Sequence, residues 1–163
     1  MLAEGLEAPD FVLPAAQNGV SSSGPFVLSR YRGRPVVLFF YPHNLTPGCR
    51  GEVCGFRDQY EEFLALDAVV VGVNAGEEAA HQRFIEQFAL PFPLLSDVGG
   101  RVRRLYDVPR LYGILPLQAR VTYVIDAEGI IRYVFNSNRN PVEHVARTLE
   151  ALRRVDEAPA DSP

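Results

Sequence analysis

Residues 36–41 read VVLFFY, a continuous apolar and aromatic run, and residues 68–73, AVVVGV, repeat the pattern further along. Neither run alternates polar with apolar, so neither suits a sheet face open to water. Both should be covered on two sides, as the strands of a parallel sheet are. Between them Thr46 and Pro47 read as an N-cap and a first helical residue. Val53, Phe56, Tyr60 and Phe63 follow at helical spacing, which predicts a helix over about residues 47–66. Strand, helix and strand then make a right-handed βαβ unit around which the rest of the chain is added.

The flanking segments extend this unit. Phe11, Val12 and Leu13 and Phe26, Val27 and Leu28 lie either side of a turn-forming Gln17-Asn18-Gly19, which predicts a pair of short N-terminal strands. A loop is expected over 30–35. Residues 77–88 carry Ala80, Phe84, Ile85 and Phe88 on one helical face; PFPLLSD behind them gives a brief extended piece, and a short helix follows near 99–106. Residues 120–125 and 130–136 form an antiparallel hairpin across Asp126-Ala127-Glu128-Gly129. A closing helix over 141–155 turns Val142, Val145, Leu149 and Leu152 inward. This is the element order of an α/β thioredoxin-like fold: a central mixed sheet flanked by helices, with an N-terminal β extension.

At 163 residues the chain fits one domain over 1–155 with a flexible polar tail over 156–163. A formal charge of −4 offers no general attraction to nucleic acid or to an anionic membrane surface. The N-terminus, MLAEGLEAPDF, has neither the basic nor the apolar part of a signal peptide, and no run is long enough to span a bilayer. The chain is therefore expected in the cytoplasm. There a structural disulfide is disfavoured and a redox-cycling one favoured.

That bears on the two cysteines, Cys49 and Cys54, spaced C-x4-C in TPGCRGEVC. The spacing is not the C-x-x-C of a dithiol reductase, and a zinc site would need further soft ligands. With Thr46 as N-cap, Cys49 falls in the first helical turn, where unpaired amides and the helix dipole favour a thiolate. The alternative for Cys49 is a small buried hydrophobe, since it lies on the stripe of Val53, Phe56 and Tyr60; for Cys54 it is an unrelated thiol on the polar flank. On an ideal helix the two residues are about 140° apart and their Cα atoms roughly 8.6 Å apart, beyond the ~7 Å that a disulfide spans without backbone movement. Bonding them requires that the helix unwind. Arg120 alone would read as an edge charge at a strand head, and His43, His81 and His144 as loop or helix-surface residues. Tyr106, Tyr112 and Leu115 either line an entrance to the site or pack elsewhere.

The segment YPHNLTPGCRGEVCGFRD, residues 41–58, closely resembles the active-site motif of peroxiredoxins, P-x-x-x-[TS]-x-x-C, and specifically of the Q type, also called bacterioferritin comigratory protein. Pro42, Thr46 and Cys49 match it residue by residue, Cys54 stands at the resolving position, and the similarity continues through LPFPLLSD and ARVTYVID, where the family places its active-site arginine, here Arg120. The resemblance implies a peroxiredoxin-type thioredoxin fold and a thiol-dependent peroxidase that reduces hydrogen peroxide and organic hydroperoxides. Cys49 would become a sulfenic acid, Cys54 would capture it as an intramolecular disulfide, and thioredoxin or a similar dithiol would recycle it. No metal, haem or flavin is required, and a monomer is expected because both thiols share one segment. The competing reading is a redox-sensing or chaperone-like module whose helix unwinds on oxidation. Three positions depart from the family pattern: Arg50 replaces a usual threonine, His43-Asn44-Leu45 stands where a lysine and an acidic residue are common, and Asn74 replaces a frequent serine.

Overall fold

The computed structural model describes residues 1–18, 24–44 and 47–157, and side chains within these except those of residues 47–50 and Tyr112. The two apolar runs are parallel neighbours at the centre of a sheet: β4 (Val36–Phe40) and β5 (Val69–Asn74) pair in register from Val36 with Val69 to Phe40 with Val73. Val36, Leu38 and Phe40 point into one apolar cluster and Val37, Phe39 and Tyr41 into another, so every residue of β4 is buried. Burial on both faces is why the run does not alternate.

Among the described residues this sheet has six strands, in the order β2 (Ala15–Ala16), β6 (Leu94–Ser96), β5, β4, β7 (Val121–Ile125) and β8 (Ile131–Asn136). β6 is parallel to β5, while β7 and β8 form the antiparallel hairpin. Asp126 shapes the hairpin turn by accepting the Glu128 and Ile130 amides, and Gly129 supplies the positive φ of 85°. At the N-terminus β1 (Val12–Leu13) and β3 (Phe26–Val27) pair antiparallel, as expected. Sequence reading did not foresee β2 (Ala15–Ala16), which closes the sheet edge against β6, or the 3-10 turn over Leu28–Tyr31.

Among the described residues, four helices pack on one face of the sheet, while the N-terminal segment and a short fifth helix cover the other. The predicted long helix is divided into α1 (Pro47–Asp58) and α2 (Tyr60–Ala65) at Gln59, whose φ and ψ of −100° and 10° interrupt the helical run. The bend keeps Phe63 beside Phe56, at 5.5 Å between ring centroids, while Phe56 stacks on Phe39 at 4.5 Å. The remaining helices are α3 (Glu78–Phe88), α4 (Arg101–Leu105) and α5 (Pro141–Glu157). Gly72 lets the Phe39 ring cross β5: a Cβ there would come within 2.6 Å of Phe39 Cζ. Val145, Leu149 and Leu152 are buried on α5 as expected, joined by His144 and Thr148, while Val142, also expected inward, is exposed. Among the described residues no helix is long and apolar enough to cross a membrane.

Candidate active site

Where β4 ends, the chain stays anchored. The Tyr41 amide bonds the Val73 carbonyl at 3.3 Å, and Gln118, just ahead of β7, donates its Nε2 to both Tyr41 O (2.8 Å) and Val73 O (2.6 Å). Pro42 and Asn44 are buried and His43 is exposed. The backbone then enters α1 at Pro47, so Cys49 occupies the first turn of a regular helix that continues past Cys54. Thr46 and the Cys49 side chain lie outside the described residues. Cys54 is half-buried.

Arg120 sits immediately before β7, only 6 % exposed, with its own amide bonded to Asn138 Oδ1 at 2.9 Å. Its Nη1 donates to Glu52 Oε2 at 2.9 Å, and Glu52, one turn after Cys49 on α1, is wholly buried. Sequence reading passed over Glu52. Its signal was positional: an acidic residue three places after Cys49, on the helical face that carries Val53 and Phe56, has to be buried and needs a cation. Burial pushes the Glu52 carboxyl up to about 8, against the opposing pull of Arg120. Glu52 Oε1 makes no hydrogen bond among the described atoms and lies 3.7 Å from His144 Nδ1.

Two histidines read as surface residues are buried. His144 on α5 has Nε2 2.9 Å from the Ser137 carbonyl and Nδ1 2.8 Å from Thr122 Oγ1. A carbonyl only accepts, so Nε2 carries the hydrogen and Nδ1 receives that of Thr122. His81 on α3 follows the same logic: Nε2 donates to Leu95 O at 3.1 Å, and Nδ1 accepts from Asn44 Nδ2 at 3.1 Å. Burial lowers each imidazole to about 4, so both are neutral. Apolar neighbours hid them in sequence; each helix turns its histidine toward the sheet, where a backbone carbonyl and one polar side chain satisfy the ring. His43 is exposed, as expected.

Asn44 completes this second network. Its Oδ1 accepts from Tyr41 Oη at 2.7 Å and from Asn74 Nδ2 at 3.2 Å, while Asn74 Oδ1 accepts the Gly76 amide at 2.8 Å. Tyr106 belongs to the core, with its hydroxyl on Pro9 O at 2.6 Å; Leu115 is partly exposed, and the Tyr112 side chain lies outside the described residues. The fold thus brings Pro42, Arg120 and the helix bearing both cysteines to one end of β4 and β7. A buried arginine paired with a carboxyl that lies one helical turn beyond a helix-start cysteine is suited to holding an anionic or polarised oxygen substrate.

Comparison with known proteins gives concordant matches. The AhpC/TSA family matches residues 5–134. Over 155 residues the chain is 42 % identical to the chloroplastic peroxiredoxin Q of Oryza sativa subsp. japonica, covering 94 % of this chain and 68 % of that protein. Among solved structures, the peroxidoxin BcpB of Mycobacterium tuberculosis superposes with a TM-score of 0.83 at 36 % identity, covering 95 % of this chain and 99 % of the other. The bacterioferritin comigratory protein of Xanthomonas campestris, studied for its alkyl peroxide reduction activity, superposes with a TM-score of 0.81 at 26 % identity over 95 % of this chain and 100 % of the other.

Proposed function

The chain belongs to the AhpC/TSA family and, within it, to the peroxiredoxins of the Q type, and from that premise we propose how it works as a thiol peroxidase. Cys49 is the peroxidatic nucleophile and Cys54 the resolving thiol; Thr46, Arg120 and Pro42 shape the surroundings of the reacting sulfur. The Cys49 thiolate attacks one oxygen of a hydroperoxide in line with the O–O bond. The S–O bond forms as the O–O bond breaks; sulfur is oxidised to a sulfenic acid, and the leaving oxygen takes up a proton and departs as water or an alcohol. Arg120, the Thr46 hydroxyl and the first-turn amides hold the two oxygens and stabilise the charge that moves onto the leaving one, while Pro42 keeps bulk water from the sulfur.

The helix then unwinds, the Cys54 thiol condenses with the sulfenic acid, and water is released as the disulfide forms. A thioredoxin-like dithiol reduces that disulfide by exchange and leaves oxidised. In this reading the protein acts in the cytoplasm as a monomer on hydrogen peroxide and organic hydroperoxides. The supporting observation is the buried Arg120–Glu52 pair, which fixes a guanidinium to the helix that carries Cys49, one turn beyond it. Cys49→Ser should abolish peroxide consumption. Cys54→Ser should still be oxidised once, leaving a sulfenic acid that dimedone traps. Equal loss of single-turnover oxidation in both variants would sink this division of roles.

A further inference from the structure

Asn44 and Asn74, two of the positions at which this sequence departs from the pattern it resembles, are 30 residues apart and hydrogen-bonded to each other at 3.2 Å. Both are almost fully buried, as is His81. Four separate pieces of chain meet there: the loop after β4 through Tyr41 and Asn44, the end of β5 through Asn74, α3 through His81, and β6 through the Leu95 carbonyl. The packing is close, since a Cβ at Gly76 would lie 2.9 Å from Asn74 Oδ1 and 3.2 Å from His81 Cε1.

We propose that Asn44 is a positioning residue for the peroxidase reaction: its uncharged amide clamps the start of the loop that leads to Cys49, and does so without a charge that titrates. This rests on the reading of Cys49 as the nucleophile. The hydrogen-bond directions dictate the residue type. Oδ1 takes hydrogens from Tyr41 and Asn74, and Nδ2 must give one to His81 Nδ1, because the only N–H of the neutral ring is already directed at Leu95 O. An ionised aspartate has no hydrogen to give. It could keep the contact only if His81 bound a second proton. Asn74 in turn spans from the Gly76 amide to Asn44, a two-ended role that needs one acceptor and one donor in a single side chain.

Among the described residues, these groups face His81. From the loop after β4 come His43, whose charge when protonated opposes a second proton on His81, and Tyr41, whose hydroxyl is directed at Asn44; from β5 and β6 come Asn74 and a carbonyl, which do not titrate. With the wild-type amide in place and the His81 ring neutral, none of the clamp's hydrogen bonds depends on a charge. The clamp's mechanical consequence is a fixed point five residues before Cys49, so the unwinding that brings the two cysteines together starts beyond Asn44 and leaves the sheet end intact. Because a misplacement of ~1 Å at reacting atoms can cost about 10²-fold in rate, loss of the fixed point should be visible in the chemical step.

The test compares the full-length chain carrying Cys54→Ser with the same chain carrying in addition Asn44→Ala or Asn44→Asp. Two quantities are followed from about pH 5 to about pH 9: the His81 ring resonances by NMR, and the rate of Cys49 sulfenic acid formation by rapid mixing with hydrogen peroxide and dimedone trapping. Asn44→Ala should react about 10- to 100-fold more slowly at every pH with His81 still neutral. In Asn44→Asp the His81 pKa should rise from about 4 by about 1–3 units. Its rate relative to the parent should then fall about tenfold as the pH passes that new value. An Asn44→Ala protein that reacts at the parental rate, or an Asn44→Asp protein whose relative rate is flat through the measured His81 pKa, overturns the proposal. If Asn44→Ala fails to fold, the aspartate variant decides alone. Failure of the nucleophile assignment is distinguishable, since Cys49→Ser would then still consume peroxide while the His81 titrations reported the clamp independently.

Discussion

Arg120 carries a permanent charge into a place that water scarcely reaches, and it can do so because Glu52 lies beneath it on α1. The pair is not a device for stability: burial outweighs the pull of Arg120 and holds the proton on the Glu52 carboxyl well above the usual carboxylate range, so the attraction does not repay the desolvation. It suits a different purpose, holding a planar fork of donors at a fixed angle beside the first turn of α1. A lysine would pair with Glu52 but would offer a point charge in place of that fork. Arg120→Lys is thus expected to slow sulfenic acid formation about 10²-fold with the far-ultraviolet circular dichroism unchanged. A variant oxidised at the parental rate would remove Arg120 from the site.

The helix α1 is held from two sides, which decides how it can move. Phe56 stacks on Phe39 of the sheet, and Gly55 lets α5 approach so closely that a Cβ there would lie 2.9 Å from Val145 Cγ2. Both cysteines belong to one helical run from Pro47 to Asp58, so the ideal-helix Cα separation of roughly 8.6 Å applies and exceeds the reach of a disulfide. If oxidation joins the two cysteines, at least the first turns have to unwind. Releasing Phe56 would forfeit on the order of 1.5–3 kcal/mol of burial, so the oxidised form should be less protected locally while the strand beneath stays closed. Amide hydrogen exchange should quicken over residues 48–56 on oxidation and remain unchanged over 36–41. An oxidised structure with an unbroken helix through two bonded cysteines would defeat this.

For the molecule as a whole, among the described residues three buried groups titrate between about pH 4 and pH 8, and they pull stability in different directions. His81 and His144 are lowered to about 4, so between about 4 and 6.5 the unfolded chain binds their protons and the folded one does not. Stability from this source rises as pH increases through that window, by on the order of 3 kcal/mol per histidine. Glu52 is raised to about 8 from 4.5, so between those values the folded state binds the extra proton and stability falls as pH increases. Up to about 6.5 two histidines outweigh one carboxyl; above it Glu52 acts alone. Urea unfolding midpoints should therefore be highest near pH 6.5 and decline toward pH 8, and Glu52→Gln should flatten that decline. A midpoint that keeps rising from pH 6.5 to 8 in the parent would contradict the assignment.

The sequence by itself determined the parallel centre of the sheet, because a strand buried on both faces must be apolar at every position, as residues 36–41 and 69–73 are. It likewise determined the hairpin, through the turn chemistry of Asp126 and Gly129, and the placing of Cys49 at a helix start after Pro47. Each of those signals is local, carried by neighbours within one element. What only the tertiary structure decided is which polar side chains are buried and with whom. Glu52 with Arg120, Asn44 with Asn74 and His81, and Thr122 with His144 are partners far apart in the chain. A polar residue on an apolar face looks the same in sequence whether it meets water or a partner, and only the packing of distant elements supplies the hydrogen bond that makes its burial tolerable.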